Sequence, residues 1–97
     1  MKIYVYILAN KSRSVLYIGV TSNLSDRLEQ HVNNTDTKAF TKRYNVHDLI
    51  YFEEFSCVEE AIAREKQLKG WTRKKKDALI SASNPNLETL ETPQLAL

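Results

Sequence analysis

Glu65 stands where the design of a helix does not call for a charge. The stretch Glu59-Glu60-Ala61-Ile62-Ala63-Arg64-Glu65-Lys66-Gln67-Leu68-Lys69 reads as a helix starting near Val58. Its Val58, Ala61, Ile62 and Leu68 fall at the i, i+3, i+4 spacing of a core-facing stripe, and Glu65 lies on that stripe. The outer face already has Glu59, Glu60, Arg64, Lys66 and Gln67 to keep it solvated. A carboxylate beside a core needs a partner, either an oxygen-preferring metal ion or a cationic side chain. Ion pairs are the commoner of the two, so the rest of the chain has to decide.

Two tyrosines are the next groups able to do chemistry. Residues 3–9 have apolar or aromatic side chains on both faces, the pattern of a central strand, and residues 15–20 read as its hairpin partner. A four-residue loop over Asn10-Lys11-Ser12-Arg13 would set Tyr6 opposite Tyr17 and Tyr4 opposite Gly19, all on one face. Gly19 then leaves room beside the tyrosines for a ligand or another backbone. The alternative is an aromatic pair that only packs.

A cation and an imidazole follow. From an N-cap at Ser22 or Asn23, a helix places Leu24, Leu28 and Val32 inward and sets Arg27 and His31 one turn apart along the border of that stripe. Each has a plain reading as well, Arg27 lying over the core and His31 half-buried. Residues 33–45 lack a period and read as a loop in which Phe40 and Tyr44 are interleaved with Lys38, Lys42 and Arg43. A third strand spans about Asp48 to Phe55, and the Glu65 helix ends at Gly70, a residue that accepts a left-handed conformation. Thr72 caps a last helix that buries Ala78, Leu79, Ile80 and Ala82 and stops at Asn84-Pro85. Its first turn, Arg73-Lys74-Lys75-Lys76, opposes the helix dipole, a cost that a polyanion would reverse.

Composition narrows the classes. A chain of 97 residues forms one domain with a modest core. The single Cys57 excludes an internal disulfide and a cysteine-rich zinc site, and suits a reducing compartment. No apolar run is long enough for a membrane span or a signal-peptide core with a cleavage site, so the expected location is cytoplasmic. The net charge of +2 hides an asymmetry: residues 1–83 contain all 14 Lys and Arg against 10 Asp and Glu, and the tail adds Glu88 and Glu91. Clustered basic residues, Lys42 and Arg73 to Lys76 among them, suit a phosphate backbone, although a solvated basic face is the commoner meaning of such a run.

Taken in order, Tyr4-Val5-Tyr6-Ile7-Leu8, Leu16-Tyr17-Ile18-Gly19-Val20-Thr21, Arg27-Leu28-x-x-His31 and Ala63-Arg64-Glu65-Lys66-Gln67-Leu68-Lys69-x-Trp71 resemble the GIY-YIG nuclease superfamily. The similarity covers about residues 2–85 and is greatest to the small stand-alone bacterial single-domain members. It implies an α+β fold with a three-stranded, mostly antiparallel sheet flanked by helices. It also implies hydrolysis of DNA phosphodiester bonds with one divalent metal, Mg2+ or Mn2+. Tyr6 and Tyr17 match the motif tyrosines, one of which, more often Tyr17, activates the attacking water. Gly19 matches the motif glycine, Arg27 the phosphate-neutralising arginine, Glu65 the metal-ligating carboxylate, and His31 the His or Tyr near the nucleophile or leaving group. Tyr4 replaces a glycine, as in the stand-alone members, and Val20 stands where the repair-incision relatives have lysine. For the family's late asparagine, Asn84 is one candidate and Asp77 another.

The resulting expectation is a nuclease domain over 1–84 with a flexible tail over 85–97. Its activity would be that of a structure-preferring or weakly sequence-specific DNA endonuclease, of use in repair or recombination. Gly19, Lys42, Arg73, Lys74, Lys75, Lys76 and Asn84 would contact the substrate. The alternative is a nucleic-acid-binding module on the same fold that cuts weakly or not at all. Oligomeric state is open.

Overall fold

The computed structural model describes residues 2–33 and 45–92, with side chains described through Glu29 in the first stretch. Lys42, Phe40 and Tyr44 and the side chain of His31 therefore lie outside the described residues. The element order is β1 (Ile3–Ala9), β2 (Leu16–Thr21), α1 (Leu24–Asn33), β3 (Asp48–Phe55), α2 (Val58–Lys69) and α3 (Arg73–Ser83). The strands form one antiparallel sheet in the order β2-β1-β3. All seven residues of β1 are buried, as its two-sided apolar pattern requires of a central strand.

Each face of the sheet has its own core. Ile3, Val5, Ile7 and Ala9 pack with Ile18 against Ala61 and Leu68 of α2 and Ile80 of α3. Tyr4, Tyr6 and Leu8 pack on the other side against Leu24 of α1, Val46 and Leu49. Alternation along β1 thus sends Tyr4, Tyr6 and Leu8 toward α1 and Ile3, Val5, Ile7 and Ala9 toward α2 and α3.

The hairpin register differs from the expected one by two residues. Ala9 pairs with Leu16, Tyr6 with Gly19 and Tyr4 with Thr21. The loop is longer because Asn10 closes it: its side-chain oxygen accepts from Val15 N at 3.0 Å, its amide donates to Ser14 Oγ at 2.9 Å, and its backbone N donates to Val15 O at 3.2 Å. Arg13 takes a left-handed φ of 62° at the bend. A two-residue shift conserves parity, so Tyr4, Tyr6, Tyr17 and Gly19 still share one face.

Helix starts follow local chemistry. Asn23 caps α1, accepting from Asp26 N at 3.1 Å, and Thr72 caps α3, accepting from Lys75 N at 3.2 Å. Gly70 closes α2 in a right-handed conformation (φ −82°), not the left-handed one expected. The inner stripe of α2 is narrower than its spacing predicts: Ala61 and Leu68 are buried, whereas Val58 and Ile62 are 46% and 38% exposed. In α3 Ile80 is buried and Leu79 partly so, while Ala78 and Ala82 face solvent.

Residues 85–92 also depart from the flexible tail expected of them. Leu90 packs on the tyrosine-side core, and its N donates to Leu49 O of β3 at 2.7 Å. Arg13 fastens the same segment, donating to Leu87 O at 2.9 Å and to Thr89 Oγ1 at 2.9 Å while pairing with Asp48 at 2.6 Å. The leucines supply the apolar reason and the open edge of β3 the polar one.

Candidate active site

β1 and β2 bring Tyr6 and Tyr17 together, with ring centroids 6.3 Å apart and planes at 42°. Tyr6 is fully buried. Its ring lies over Gly19, directly across the ladder, where an added Cβ would overlap the hydroxyl and stand 2.5 Å from Cζ. The space at Gly19 is therefore filled by Tyr6 and not held open for a substrate, a correction to the expected role of that glycine. The close approach the sequence implied is made by the protein's own phenol.

Arg27, on the inner border of α1, donates from Nε to the Tyr6 hydroxyl at 3.3 Å. Burial pushes the Tyr6 phenol up to about 12, against the opposing pull of the Arg27 hydrogen bond and charge. The hydroxyl therefore keeps its proton through the neutral range. The Arg27 guanidinium is held still more firmly charged, first by the Tyr6 hydroxyl, with Tyr17 contributing as well. His31 follows Arg27 by one turn along the α1 backbone.

Glu65 comes from the other layer. It lies between the buried Ala61 and Leu68 on α2, its side chain 16% exposed. Its charge is felt at Tyr6, where it helps raise the phenol's pKa. The Lys69 ammonium stands 3.7 Å away, too far for a hydrogen bond, so the carboxylate's lone pairs are not saturated by it. A hard oxygen donor of this kind fits Mg2+ or Mn2+ with water in the remaining positions. Among the described residues no three His, Cys, Asp or Glu side chains gather to hold a metal.

Several expected substrate contacts are engaged elsewhere. Arg73 donates from Nε to Asp77 at 2.8 Å, from Nη1 to Ser14 O at 2.8 Å and from Nη2 to Arg13 O, which ties α3 to the hairpin loop. Asn84 is buried, donates to Ile50 O at 3.0 Å and Glu88 O at 2.8 Å, and accepts from Glu88 N at 3.0 Å. Both serve the frame, because their polar atoms already have partners. Lys74 is exposed, Lys76 is half-buried, and Lys75 lies over the Trp71 ring at 4.7 Å. None of the three forms a salt bridge among the described residues.

Sequence reasoning missed a polar network on the α2 side. Arg64 pairs with Glu53 through two contacts of 2.9 Å, and Tyr51 donates to Glu53 at 2.5 Å. The available signal was Tyr51 and Glu53 two apart on one strand face, opposite a helix with an arginine on its flank. A groove of about 530 Å³ lined by Phe55, Glu60, Ala63, Arg64 and Gln67 runs along that flank, away from Tyr6 and Tyr17.

Residues 2–77 match the family model described as the GIY-YIG catalytic domain. The chain belongs to the GIY-YIG family. Its relatives include UPF0213 protein CPE1444 of Clostridium perfringens, 41% identical over 88 residues and covering 91% of this chain and 92% of that one. A UPF0213 protein of Bacillus pumilus is 39% identical over 77 residues, 79% of this chain and 76% of that one. The solution NMR structure of UPF0213 protein BH0048 from Bacillus halodurans is similar with a TM-score of 0.57 at 31% identity, covering 92% of this chain and 93% of that one. The three-stranded antiparallel α+β fold is thus that of a GIY-YIG domain. GIY-YIG nucleases act on DNA and generally use divalent metals. Among the described residues of this GIY-YIG chain, no helix is long and apolar enough to cross a membrane.

Proposed function

We propose that this protein is a divalent-metal-dependent DNA endonuclease whose working groups are Tyr17, Arg27, His31 and Glu65, with Tyr6 holding Arg27 in place. The observation that carries the reading is the contact of the buried Tyr6 hydroxyl with Arg27, beside Tyr17, inside the segment that matches the catalytic-domain model. Phosphodiester hydrolysis needs an oriented water, a base for its proton, and positive charge where negative charge develops. Arg27 presents a permanently charged planar fork to the scissile phosphate. Tyr6, fully buried, accepts from Arg27 and fixes that side chain's direction. Tyr17, half-buried on the edge strand, orients the attacking water and takes its proton. His31 serves as proton or hydrogen-bond partner. Glu65 would hold Mg2+ or Mn2+, which would supply positive charge where negative charge develops in the reaction.

Lys74, Lys75 and Lys76 contribute phosphate contacts, so binding is salt-dependent and cleavage weakly sequence-specific. Cytoplasmic location and a part in DNA repair or recombination belong to the same proposal. The test is nicking of supercoiled plasmid with Mg2+, with Mn2+ and with chelator, beside Glu65→Ala and Tyr17→Phe. Metal-dependent nicking abolished in both variants supports the reading. DNA binding that is retained without metal-dependent cleavage supports a binding module instead, and cleavage that survives Glu65→Ala refutes the assignment of that carboxylate.

A further inference from the structure

Helix α2 is held to the sheet by a thin apolar seam. Of its 12 residues only Ala61 and Leu68 are buried, while Val58 and Ile62 are exposed. Two buried positions two turns apart, one of them a single methyl group, offer little resistance to a roll of the helix about its axis. The resistance is polar. Arg64 presents Nε and Nη2 to the two oxygens of Glu53, each at 2.9 Å, and Nη1 to Gln67 Oε1 at 2.8 Å. Its guanidinium also lies 5.2 Å from the Trp71 ring centroid, and Glu53 is held in turn by the Tyr51 hydroxyl at 2.5 Å. The pair is sheltered, with side chains 23% and 19% exposed. A two-bond guanidinium–carboxylate contact is planar and directional, so it sets orientation as well as distance.

Glu65 is the next residue, roughly 100° further round the helix. We propose that the Tyr51–Glu53–Arg64 clamp is a positioning device for Glu65: it fixes the roll of α2 and thereby the place at which that carboxylate holds a divalent cation. The inference rests on the reading of Glu65 as the metal ligand. A roll of about 20° would carry a carboxylate about 6 Å from the axis through about 2 Å. Metal–ligand distances tolerate only about 0.2 Å, and a misplacement of about 1 Å costs on the order of a hundredfold in rate. Arg64 is thus a positioning residue and not a catalytic one, since its donors are turned to Glu53 and Gln67.

The experiment measures Mn2+ binding to the full chain, by calorimetry and by electron paramagnetic resonance, for wild type, Arg64→Lys, Arg64→Ala, Glu53→Gln and Glu65→Ala, with thermal unfolding of each. Val46→Ala, a core change on the opposite face of the sheet from α2, is the control for lost stability. The clamp predicts a Kd for Mn2+ weakened about 10- to 100-fold by Arg64→Lys and Glu53→Gln, as for other residues that orient a ligand. Val46→Ala lowers Tm and leaves that Kd unchanged. Arg64→Lys keeps the charge and loses the fork, so it decides the matter if Arg64→Ala fails to fold. Variants at Arg64 and Glu53 that lower Tm yet bind Mn2+ within twofold of wild type overturn the clamp. A wild-type protein with no Mn2+ site removable by Glu65→Ala fails one step earlier, at the assignment of Glu65, and takes the clamp with it.

Discussion

Gly19→Ala separates two meanings of a motif glycine. If the glycine makes room for substrate, alanine leaves stability alone and lowers activity. In this structure the room belongs to Tyr6: the new Cβ would stand 2.5 Å from Cζ, where ordinary contacts are 3.4–4 Å. Either the ring or the strand must therefore move by about 1 Å. Tyr6 is fully buried among Leu8, Leu24 and Leu49, so the ring has nowhere to go without overpacking. Overpacking of a tight core costs about 1–3 kcal/mol, and the severity of this contact puts the expected loss at about 2–3 kcal/mol. For a domain of this size that lowers Tm by roughly 10–20 °C. Displacing the phenol also breaks its contact with Arg27, so nicking per folded molecule should fall as well. Urea unfolding of Gly19→Ala, Tyr6→Leu and the double variant provides the cycle. The double variant should be more stable than the two single losses added together, because the smaller side chain removes the overlap. A Gly19→Ala protein within about 0.5 kcal/mol of wild type would refute the argument and return the glycine to the substrate.

Other consequences are as direct. Asn84→Ala should cost about 2–4 kcal/mol in urea unfolding by leaving Ile50 O and Glu88 N without their partner, with DNA affinity per folded molecule unchanged. Arg73→Ala should lower Tm without altering the salt dependence of DNA binding, whereas each of Lys74→Ala, Lys75→Ala and Lys76→Ala should reduce the log–log salt slope by about 0.9. Alkaline unfolding should reveal Tyr6. Its folded pKa of about 12 lies above the unfolded value of 10, so its contribution is complete below pH 10 and is lost as pH rises toward 12. Tyr6→Phe should remove about 2 kcal/mol of that alkaline dependence, as read from urea midpoints at pH 9 and pH 11.5.

Much of the frame was legible because it is local. The two-sided burial of β1, the caps at Asn23 and Thr72 and the shared face of the tyrosines all follow from periods and from residues within four of one another. Even the register error spared the face, since a shift of two leaves parity intact. What the sequence could not show are contacts between distant parts of the chain. Arg73 binds the loop at Ser14, Asn84 binds Ile50, and Arg13 binds Asp48 and Thr89. From composition alone a basic run and a polar residue after a helix look like substrate contacts. Only the fold reveals that the polar atoms of Arg73 and Asn84 are already partnered, while Lys74 to Lys76 form no salt bridge among the described residues.

The candidate site draws on both layers of the fold, and the Glu65 charge reaches Tyr6 from the α2 layer. Tyr6, Tyr17 and Arg27 belong to the core under α1, and Glu65 belongs to α2 on the opposite side. The half built from Tyr6, Tyr17 and Arg27 is locked by a filled aromatic core, with Gly19 shaped to Tyr6. The carboxylate half rides on a helix with a two-residue seam and a polar clamp. Changes in the α1 layer should therefore alter turnover with little effect on metal affinity, and changes along the Arg64 flank should do the reverse. Plasmid nicking across a metal titration reads both, since the plateau reports the first layer and the half-saturation point the second. An Arg27→Lys variant that moved the half-saturation point as far as Arg64→Lys would mean that the two layers act as one rigid unit, and that the clamp is not the separate support that its geometry describes.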